Sequence, residues 1–446
     1  MIFLLNVKKE KGNGKEMEKE KEKEKEMTFI RYCEEIFPDK FTGIICDPYN
    51  LRKIAGNTKN TKNTKNTVYD VIIGNSKEFF EKYYSELNKK GICVLILDKQ
   101  DYKLVKKSFS INEKFNYYRF YCDADHLYFL GTNDCERYIP EYIADYKVGK
   151  EEKRKTAVVY TFHKKDEAVD FFAKHGIFKC PYVDFYIVCN GNIKLNIPDY
   201  VKYYNRDNIG HDFGGWAHAI FTASLKDRYD FFIFINSSVR GPFIPPWCPI
   251  KDWVSIFTRL IDYRTKLVGT TIGIHQYMPH IQSMVLVTDK IGLEIGIKEG
   301  IFEVNPRPLP RDKIIMEKEI GYSQTIIKHG YKIRPIVSAY YNVNIKQKSK
   351  IRGLIHISNN KYFGTNLHPY DVIFIKDKAN INRNRDVIAI TYNHETNHDR
   401  LSTLSDDFNW VKYLRLNPDI AKKHKNETKA VNHWINYGYS EKRKYK

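Results

Sequence analysis

Between residues 203 and 243, two polar clusters contain residue types, at a suitable spacing, that could bind a ligand or take part in catalysis. In the first, residues 205–215, the carboxylate of Asp212 stands among Gly210, Gly214 and Gly215; the second, residues 236–242, begins Asn236-Ser237-Ser238. Glycine lets the backbone approach a ligand closely, and a helix that begins after the first cluster would favour an anion such as a phosphate. We interpret the pattern as a binding site for a nucleotide-sugar.

The elements that must position these clusters are strands of one sheet. Residues 229–235 (YDFFIFI) form a nearly all-apolar run, which favours a strand buried on both faces. In open α/β sheets, ligands bind beyond the carboxyl ends of the strands, so both clusters are expected at one edge. The other strands are predicted at residues 156–161, 183–189, 201–205, 267–273, 284–288 and 332–337, and the helices at 165–175, 216–225, 253–263 and 317–329.

The ordered motifs resemble the rhamnan synthesis protein F family of glycosyltransferases. The first cluster contains Asn208-Ile209-Gly210-His211-Asp212-Phe213-Gly214, with Asn205 just upstream, and the second reads Asn236-Ser237-Ser238-Val239-Arg240-Gly241-Pro242-Phe243. Further matching motifs are His280-Ile281-Gln282-Ser283, Glu319-Ile320-Gly321-Tyr322-Ser323 and His368-Pro369-Tyr370-Asp371-Val372-Ile373-Phe374. The resemblance covers residues 155–376. It implies an α/β fold with a GT-A-like nucleotide-diphospho-sugar transferase domain, a Rossmann-like mixed sheet, and sugar transfer to a polysaccharide or glycan acceptor.

The resemblance also implies which residues bind the donor: Asn205, Asn208, Gly210, Asp212, Gly214, Asn236, Ser238 and Arg240. Asp212 would bind the ribose or base of the nucleotide, or else cap a helix that starts at Phe213 or Gly214. Asn236 and Ser238 would contact the diphosphate or a metal, or be ordinary turn residues. Arg240 would neutralise the leaving diphosphate, or be a solvent-exposed turn arginine.

One departure from the family pattern concerns the cofactor. Ser237 stands where the family has Asp in an Asn-Asp-Ser turn, and a carboxylate there commonly holds a divalent metal against the diphosphate. Mn²⁺ or Mg²⁺ held by Asn236 and Ser238 is therefore in doubt.

Two residues are candidates for the catalytic base, which must take the proton of the acceptor hydroxyl if transfer inverts the anomeric carbon. Glu319 is the first candidate, because its motif follows a proline-rich loop over the site, predicted at residues 300–313, and opens a helix. The structural alternative is a first-turn glutamate favoured by the helix dipole. His280 is the second candidate, with a structural role as its alternative.

Composition limits the class of protein. The chain has 446 residues, 42% of them hydrophobic, so two or three folded domains are expected. The net charge of +20 is not gathered into a basic patch with interleaved aromatic residues, so nucleic acid is not an expected partner. Eight cysteines without a CxxC pair indicate free thiols, and no apolar run could span a bilayer. We expect a cytoplasmic protein, with room for peripheral contact with a membrane or a partner protein.

The chain divides into five predicted segments. They are a low-complexity Lys/Glu extension (1–27), a small α/β module (28–147), the glycosyltransferase-like domain (155–376), a linker (377–404) and a small helical module (405–446). The α/β module contains a flexible insertion at 57–66 and a helix at 76–89. Its strands are predicted at 43–46, 69–73, 91–98, 116–122 and 126–130. That order resembles the second half of a class I methyltransferase fold, without a glycine-rich cofactor loop.

Two other functions remain open at this stage. Ser237, and a first module that resembles only half of a methyltransferase fold, favour a catalytically inactive glycan-binding or scaffolding protein derived from a glycosyltransferase. The α/β module leaves an S-adenosylmethionine-dependent methyltransferase as the second alternative.

Overall fold

The structure is a computed structural model of the chain. It describes residues 154–341 apart from 246–247, 249, 251 and 305–307, together with 362–363, 366–376 and 409–422, five strands nearer the N-terminus and a few single positions. The extension at 1–27 and the insertion at 57–66 lie outside the described residues, as does the linker at 377–404 except for Thr391. Contacts divide the chain into a first unit (1–148, 338–344, 363–365) and a second unit (149–337, 345–362, 366–446).

The first unit contains a five-stranded sheet. Its strands are β1 (Ile44–Cys46), β2 (Tyr69–Gly74), β3 (Leu87–Asp98), β4 (Tyr117–Cys122) and β5 (His126–Thr132), in the spatial order β1-β2-β3-β5-β4. The first three are parallel, and β5 is antiparallel to both of its neighbours. The helix predicted at 76–89 is wrong at its carboxyl end. Residues 87–89 belong to β3 instead, because Leu87 pairs with Tyr69 of β2.

The second unit is built around a seven-stranded sheet, ordered β15-β11-β14-β9-β6-β7-β8. Its elements in chain order are β6 (Thr156–Phe162), α1 (Glu167–His175), β7 (Val183–Cys189), β8 (Lys202–Asn205), α2 (His211–Thr222), α3 (Leu225–Arg228), β9 (Phe231–Asn236), β10 (Val239–Arg240), α4 (Trp253–Thr258), β11 (Thr265–Gly269), β12 (Ile272–His275), β13 (Met278–Ile281), β14 (Val285–Asp289), α5 (Lys290–Lys298), α6 (Arg311–Ile314), a π-helical segment (Ile315–Ile320), α7 (Gly321–Lys328), β15 (Lys332–Pro335), α8 (Pro369–Val372), β16 (Ile375–Lys376), α9 (Trp410–Leu416) and α10 (Pro418–Ala421).

The strand directions bring the chemically interesting loops to one edge. Strand β14 is antiparallel to both neighbours, β9 and β11, whereas every other adjacent pair in this sheet is parallel. The carboxyl ends of β6, β7, β8 and β9 therefore meet the amino end of β14 at the same edge. This mixed α/β arrangement, with a mostly parallel sheet, is consistent with a Rossmann-like fold.

The core of the second unit lies against the two central strands. Both β6 and β9 are buried along their whole length, which explains why their sequences are apolar runs without alternation. From α1, Phe172 stacks on Tyr160 with ring centroids 4.1 Å apart. From α2, Trp216 packs on Phe234 and donates from Nε1 to the Ile235 carbonyl at 3.3 Å. Each such buried aromatic or aliphatic side chain stabilises the fold by about 1.5–3 kcal/mol.

Between residues 253 and 313, three predicted elements differ from the structure. The helix predicted at 253–263 ends at Thr258, because the Asp262 carboxylate accepts from the backbone N–H groups of Arg264 and Thr265 and forms a turn. The strand predicted at 267–273 breaks after β11, and its end pairs instead as β12 with β13. Helix α6 begins at Arg311, which shortens the loop predicted at 300–313.

Helix α5 was not predicted. Its amino terminus carries an ordinary signal, since Asp289 accepts from the Gly292 N–H at 3.0 Å. Gly292 and Gly296 lower the helical propensity of the segment by about 1 kcal/mol each. Glycine is nevertheless required at both positions. A Cβ on Gly292 would lie 2.0 Å from the Thr288 hydroxyl, and a Cβ on Gly296 would lie 2.9 Å from the Phe302 ring.

The C-terminal helices α9 and α10 share a small cluster of buried side chains. Its members are Tyr413, Leu414, Ile420, Ala430 and Trp434. The Tyr413 and Trp434 rings meet edge to face with centroids 5.5 Å apart. Most of the second half of the helical module predicted at 405–446 lies outside the described residues.

Candidate functional site

The turn after β9 is the centre of the candidate site, and it is held rigidly. The Asn236 side-chain oxygen accepts from the Ser238 N–H at 3.0 Å and from the Ser238 hydroxyl at 2.5 Å. The Ser237 N–H donates to the Thr161 carbonyl at the end of β6. Asn236 also reaches β14, because its Nδ2 donates to the Ser283 carbonyl at 3.3 Å. The turn therefore joins the ends of three neighbouring strands.

The two catalytic candidates meet beside this turn. The Ser283 hydroxyl donates to Oε2 of Glu319, and His280 Nε2 lies 3.6 Å from Oε1 of the same carboxylate. Their side chains are largely buried, with exposed fractions of 8% for His280 and 18% for Glu319. Ser283, whose motif gives it no predicted role, connects the carboxylate to Asn236.

The elements around His280 and Glu319 fix this geometry. Glu319 lies on the π-helical segment, which continues directly from α6, so Glu319 does not open a helix and its first-turn alternative is wrong. A π-helical segment is rare and often marks functional sites. His280 pairs with Gly273 across the β12–β13 hairpin. A side chain on Gly273 would displace His280, because its Cβ would lie 2.9 Å from the His280 Nε2. The hairpin is tied to α7, since the Ile281 N–H donates to the Ser323 hydroxyl at 3.0 Å.

Burial determines the protonation of His280. It lowers the pKa of the imidazole, and the negative charge of Glu319 offsets only part of that effect. The His280 Nδ1 lies 3.3 Å from the Met278 carbonyl, a contact that favours a proton on Nδ1. A neutral His280 then presents the Nε2 lone pair towards Glu319.

The glycine-rich loop is folded by hydrogen bonds of its own. Arg206 donates to the Asn190 side-chain oxygen at 2.6 Å and to the Ile209 carbonyl at 2.7 Å. Asn190 Nδ2 donates to the His211 carbonyl at 2.9 Å, so the loop is bound to the end of β7. Neither Arg206 nor Asn190 was predicted as a site residue, although both follow predicted strands.

The helix after this loop begins earlier than predicted. Its cap is Gly210, whose φ of 73° lies in the left-handed region, and α2 starts at His211 instead of Trp216. Asp212 lies in the first turn of α2 and is not its cap, so the capping alternative for Asp212 is wrong. A carboxylate in the first turn is favoured by the helix dipole.

Gly214 and Gly215 are required by close packing inside the protein. A Cβ on Gly214 would lie 2.0 Å from the Ile209 carbonyl oxygen, and a Cβ on Gly215 would lie 2.5 Å from the Thr161 Cγ2. The donor-binding role of Gly214 stays a prediction, as do those of the exposed residues Asn205 and Asn208.

A small cleft opens beside the start of α2. It is lined by Gly210, Phe213, Gly214, Ile301, Glu303, Leu309, Ile314 and Lys318. Three of these residues come from the segment predicted to lie over the site. Lys318 forms an ion pair of 2.9 Å with Glu303 and donates to the Gly300 carbonyl, so this side of the cleft is close to neutral.

Two cations lie near the β9–β10 turn. Arg240 is only 7% exposed and its guanidinium is 2.8 Å from Glu167 and 3.4 Å from the Thr391 hydroxyl, so the solvent-exposed alternative is wrong. Its role at the diphosphate stays a prediction. Lys376, which the sequence analysis did not single out, donates from Nζ to the Ser238 hydroxyl at 3.1 Å.

The residues at the turn do not fit Mn²⁺ or Mg²⁺. These ions prefer anionic oxygen ligands, whereas Asn236 and Ser238 are neutral and already bonded to each other. The Lys376 ammonium on Ser238 would repel a second cation. Within the described parts of the chain, no group of three or more His, Cys, Asp or Glu side chains is placed to hold a metal.

Comparison with known proteins adds little to this geometry. No family model matches the chain, and no curated protein matches it. One solved structure to which it is similar is the apo form of the glycosyltransferase GlyE from Streptococcus pneumoniae TIGR4, with 14% identity and a TM-score of 0.20. The match covers 40% of this chain and 44% of that one, so the chain spans less than half of that enzyme. At this TM-score the likeness carries no argument, and the resemblance to the rhamnan synthesis protein F family stays a prediction.

Two further observations concern thiols and membranes. The described cysteines Cys180, Cys189 and Cys248 carry free thiols. In the part of the chain that the structure describes, every helix is too short or too polar to cross a bilayer.

Proposed function

We propose that the chain is a glycosyltransferase of GT-A-like fold that transfers a sugar from a nucleotide-sugar donor to a glycan or polysaccharide acceptor. The observation that carries the proposal is the contact of Glu319 with Ser283 and His280, next to the Asn236–Ser238 turn at the carboxyl edge of the sheet. A carboxylate held beside a ligand-binding edge is what sugar transfer requires of a base.

In this proposal the donor lies along the edge formed by β6, β7 and β9. The amino terminus of α2 and the Asn236–Ser238 turn flank that edge, and Asp212 in the first turn of α2 contacts the sugar hydroxyls of the nucleoside. The sheet directions support this placement, because the crevice beyond the carboxyl ends of parallel strands is the usual nucleotide site in open α/β folds.

Glu319 acts as the base. The acceptor hydroxyl oxygen forms a bond to the anomeric carbon, its proton passes to the Glu319 carboxylate, and the bond from the anomeric carbon to the phosphate oxygen breaks. The nucleoside diphosphate leaves with the electron pair of that bond. His280 lies beside Glu319 with its Nε2 lone pair, so a protonated Glu319 can share its proton with the imidazole once the site tightens around substrate.

The test is a binding screen followed by a turnover measurement. The full-length protein is mixed with UDP-, GDP-, dTDP- and CMP-sugars, with and without Mn²⁺, and its melting temperature is recorded. A ligand that binds the native state raises that temperature by mass action. Release of the nucleotide from the donor that binds is then followed for the wild type and for Glu319→Gln.

We expect Glu319→Gln to keep the thermal shift and to lose at least about 100-fold in turnover, because the amide cannot accept the proton. Glu317→Gln is the matched control, since Glu317 is exposed on the same π-helical segment and should leave turnover unchanged. A wild-type protein that binds a nucleotide-sugar and never turns it over would point to the glycan-binding or scaffolding alternative. Absence of any shift would contradict the proposal.

A further inference from the structure

We infer that Lys376 supplies the positive charge that holds the diphosphate of the donor, in place of a divalent metal. The inference rests on the proposed function and deepens it. Its starting point is the contact from Lys376 Nζ to the Ser238 hydroxyl, across 138 positions of sequence.

The backbone of the turn does not supply the charge. All three of its N–H groups donate inside the protein: Asn236 to the Met284 carbonyl, Ser237 to the Thr161 carbonyl and Ser238 to the Asn236 side chain. A phosphate at this edge therefore has no cradle of backbone donors from residues 236–238. At the turn itself, positive charge can therefore come only from a side chain or an ion.

A divalent ion is not favoured at this position. The turn reads Asn236-Ser237-Ser238 and carries no carboxylate, and the oxygens of Asn236 and Ser238 are engaged with each other. A primary ammonium on Ser238 occupies the place where such an ion would carry its charge. A lysine ammonium is a compact point charge and is a common phosphate ligand in proteins.

The protein fixes Lys376 in place through a strand pairing. Strand β16 pairs antiparallel with β10, which sets Lys376 opposite Val239. The Phe243 N–H donates to the Ile373 carbonyl at 2.7 Å, and a Cβ on Gly241 would lie 2.5 Å from the same oxygen. The glycine therefore allows the two segments to approach closely.

An aromatic anchor holds the same segment to the core. Phe374 is 1% exposed and packs against Trp253 and Phe172, with ring centroids 5.1 Å and 6.4 Å away. Two residues beyond this anchor, the partly buried Lys376 reaches the turn at the site. Such support is typical of a residue whose position matters for binding.

Lys376 differs from Arg240 in what it contacts. Arg240 contacts Thr391 and the carboxylate of Glu167 on α1. The Glu167 side chain is 86% exposed. Lys376 contacts a residue of the turn itself. The charge that the sequence analysis assigned to Arg240 is therefore better supplied by Lys376, and Arg240 supports the turn from the α1 side.

The test measures binding of UDP, GDP and dTDP, and of the matching monophosphates, to the full-length protein by calorimetry, in EDTA and in Mn²⁺. We expect at least one diphosphate to bind with the same Kd in both buffers. Lys376→Met should raise that Kd at least about tenfold, since a hydrogen bond to a charged group is lost. It should affect the monophosphate less. Lys376→Arg keeps the charge, so its Kd for the diphosphate should lie between those of the wild type and Lys376→Met.

Lys332→Met is the matched control, because Lys332 is exposed at the amino end of β15, on the opposite edge of the sheet. It should leave every Kd unchanged. Binding that disappears in EDTA, or a Lys376→Met protein that folds and binds as the wild type does, overturns the inference and leaves the proposed function standing. The EDTA comparison uses only the wild type, so it can overturn the inference even if Lys376→Met does not fold. A wild type that binds no nucleotide and no nucleotide-sugar overturns the proposed function and the inference together.

Discussion

Ser283 and Glu319 are joined by a hydrogen bond from the Ser283 hydroxyl to the Glu319 carboxylate, although 36 positions separate them in the chain. The same serine accepts a bond from Asn236 through its carbonyl. One residue therefore connects the carboxylate to the turn at which the proposed diphosphate lies, and its hydroxyl can be removed without disturbing its backbone.

Ser283→Ala should lower kcat about tenfold and leave the KM for the donor unchanged, because Glu319 loses the donor that orients it while the donor contacts remain. Steady-state kinetics on the proposed reaction measure the two parameters separately. Ser283→Thr keeps a hydroxyl and should restore most of the loss.

Ser255→Ala provides the comparison for that experiment. The Ser255 hydroxyl also donates to a carboxylate, that of Asp252 at 2.8 Å, at the start of α4 and outside the site. It should lower stability slightly and leave kcat alone. Equal losses of kcat in both variants would mean that Ser283 has only a structural role.

His280 should make the protein less stable in acid. Because burial lowers the His280 pKa below the ordinary value of about 6.5, the folded state binds fewer protons there than the unfolded chain does. The contribution is fully present above about pH 6.5 and is lost as the pH falls towards the lowered pKa of the folded state. Thermal unfolding between pH 7.5 and pH 5 should therefore show a smaller fall in Tm for His280→Gln than for the wild type. Parallel Tm curves for the two proteins would contradict the prediction.

Gly215→Ala should destabilise the second unit by about 1–3 kcal/mol, because the new Cβ overlaps the Thr161 side chain and overpacked cores cost that much. Chemical denaturation measures the free energy of unfolding. Adding Thr161→Ala removes the two closest atoms and should recover part of the loss. Gly191→Ala is the control, since its Cβ would meet its nearest neighbour at an ordinary 3.7 Å. No recovery in the double variant would place the strain elsewhere.

In the second unit, the strands that could be predicted are those whose burial requires a run of apolar residues. Strands β6, β7 and β9 are apolar runs because both of their faces are covered, and their predicted positions are confirmed within two residues. The antiparallel direction of β14 has no local signal, since it depends on which neighbours it pairs with.

The candidate site was predictable only where a motif marks it. Separate motifs mark Glu319 and His280, and the hairpin and the π-helical segment bring the two side chains together. The contact of Lys376 with Ser238 depends on a two-residue strand that pairs far along the chain. The helix start at His211 was missed because a glycine in the left-handed conformation caps it without a side chain.

The pairing of β16 with β10 also sets an order of events during synthesis. Ser238 leaves the ribosome 138 positions before Lys376, a delay of roughly 7 to 28 seconds at common translation speeds. A nascent chain can form β6, β7 and β9 in that interval, yet the carboxyl edge of its sheet still lacks the lysine that we propose to hold the diphosphate. A product that ends between residues 336 and 375 contains all seven strands of this sheet and lacks that lysine.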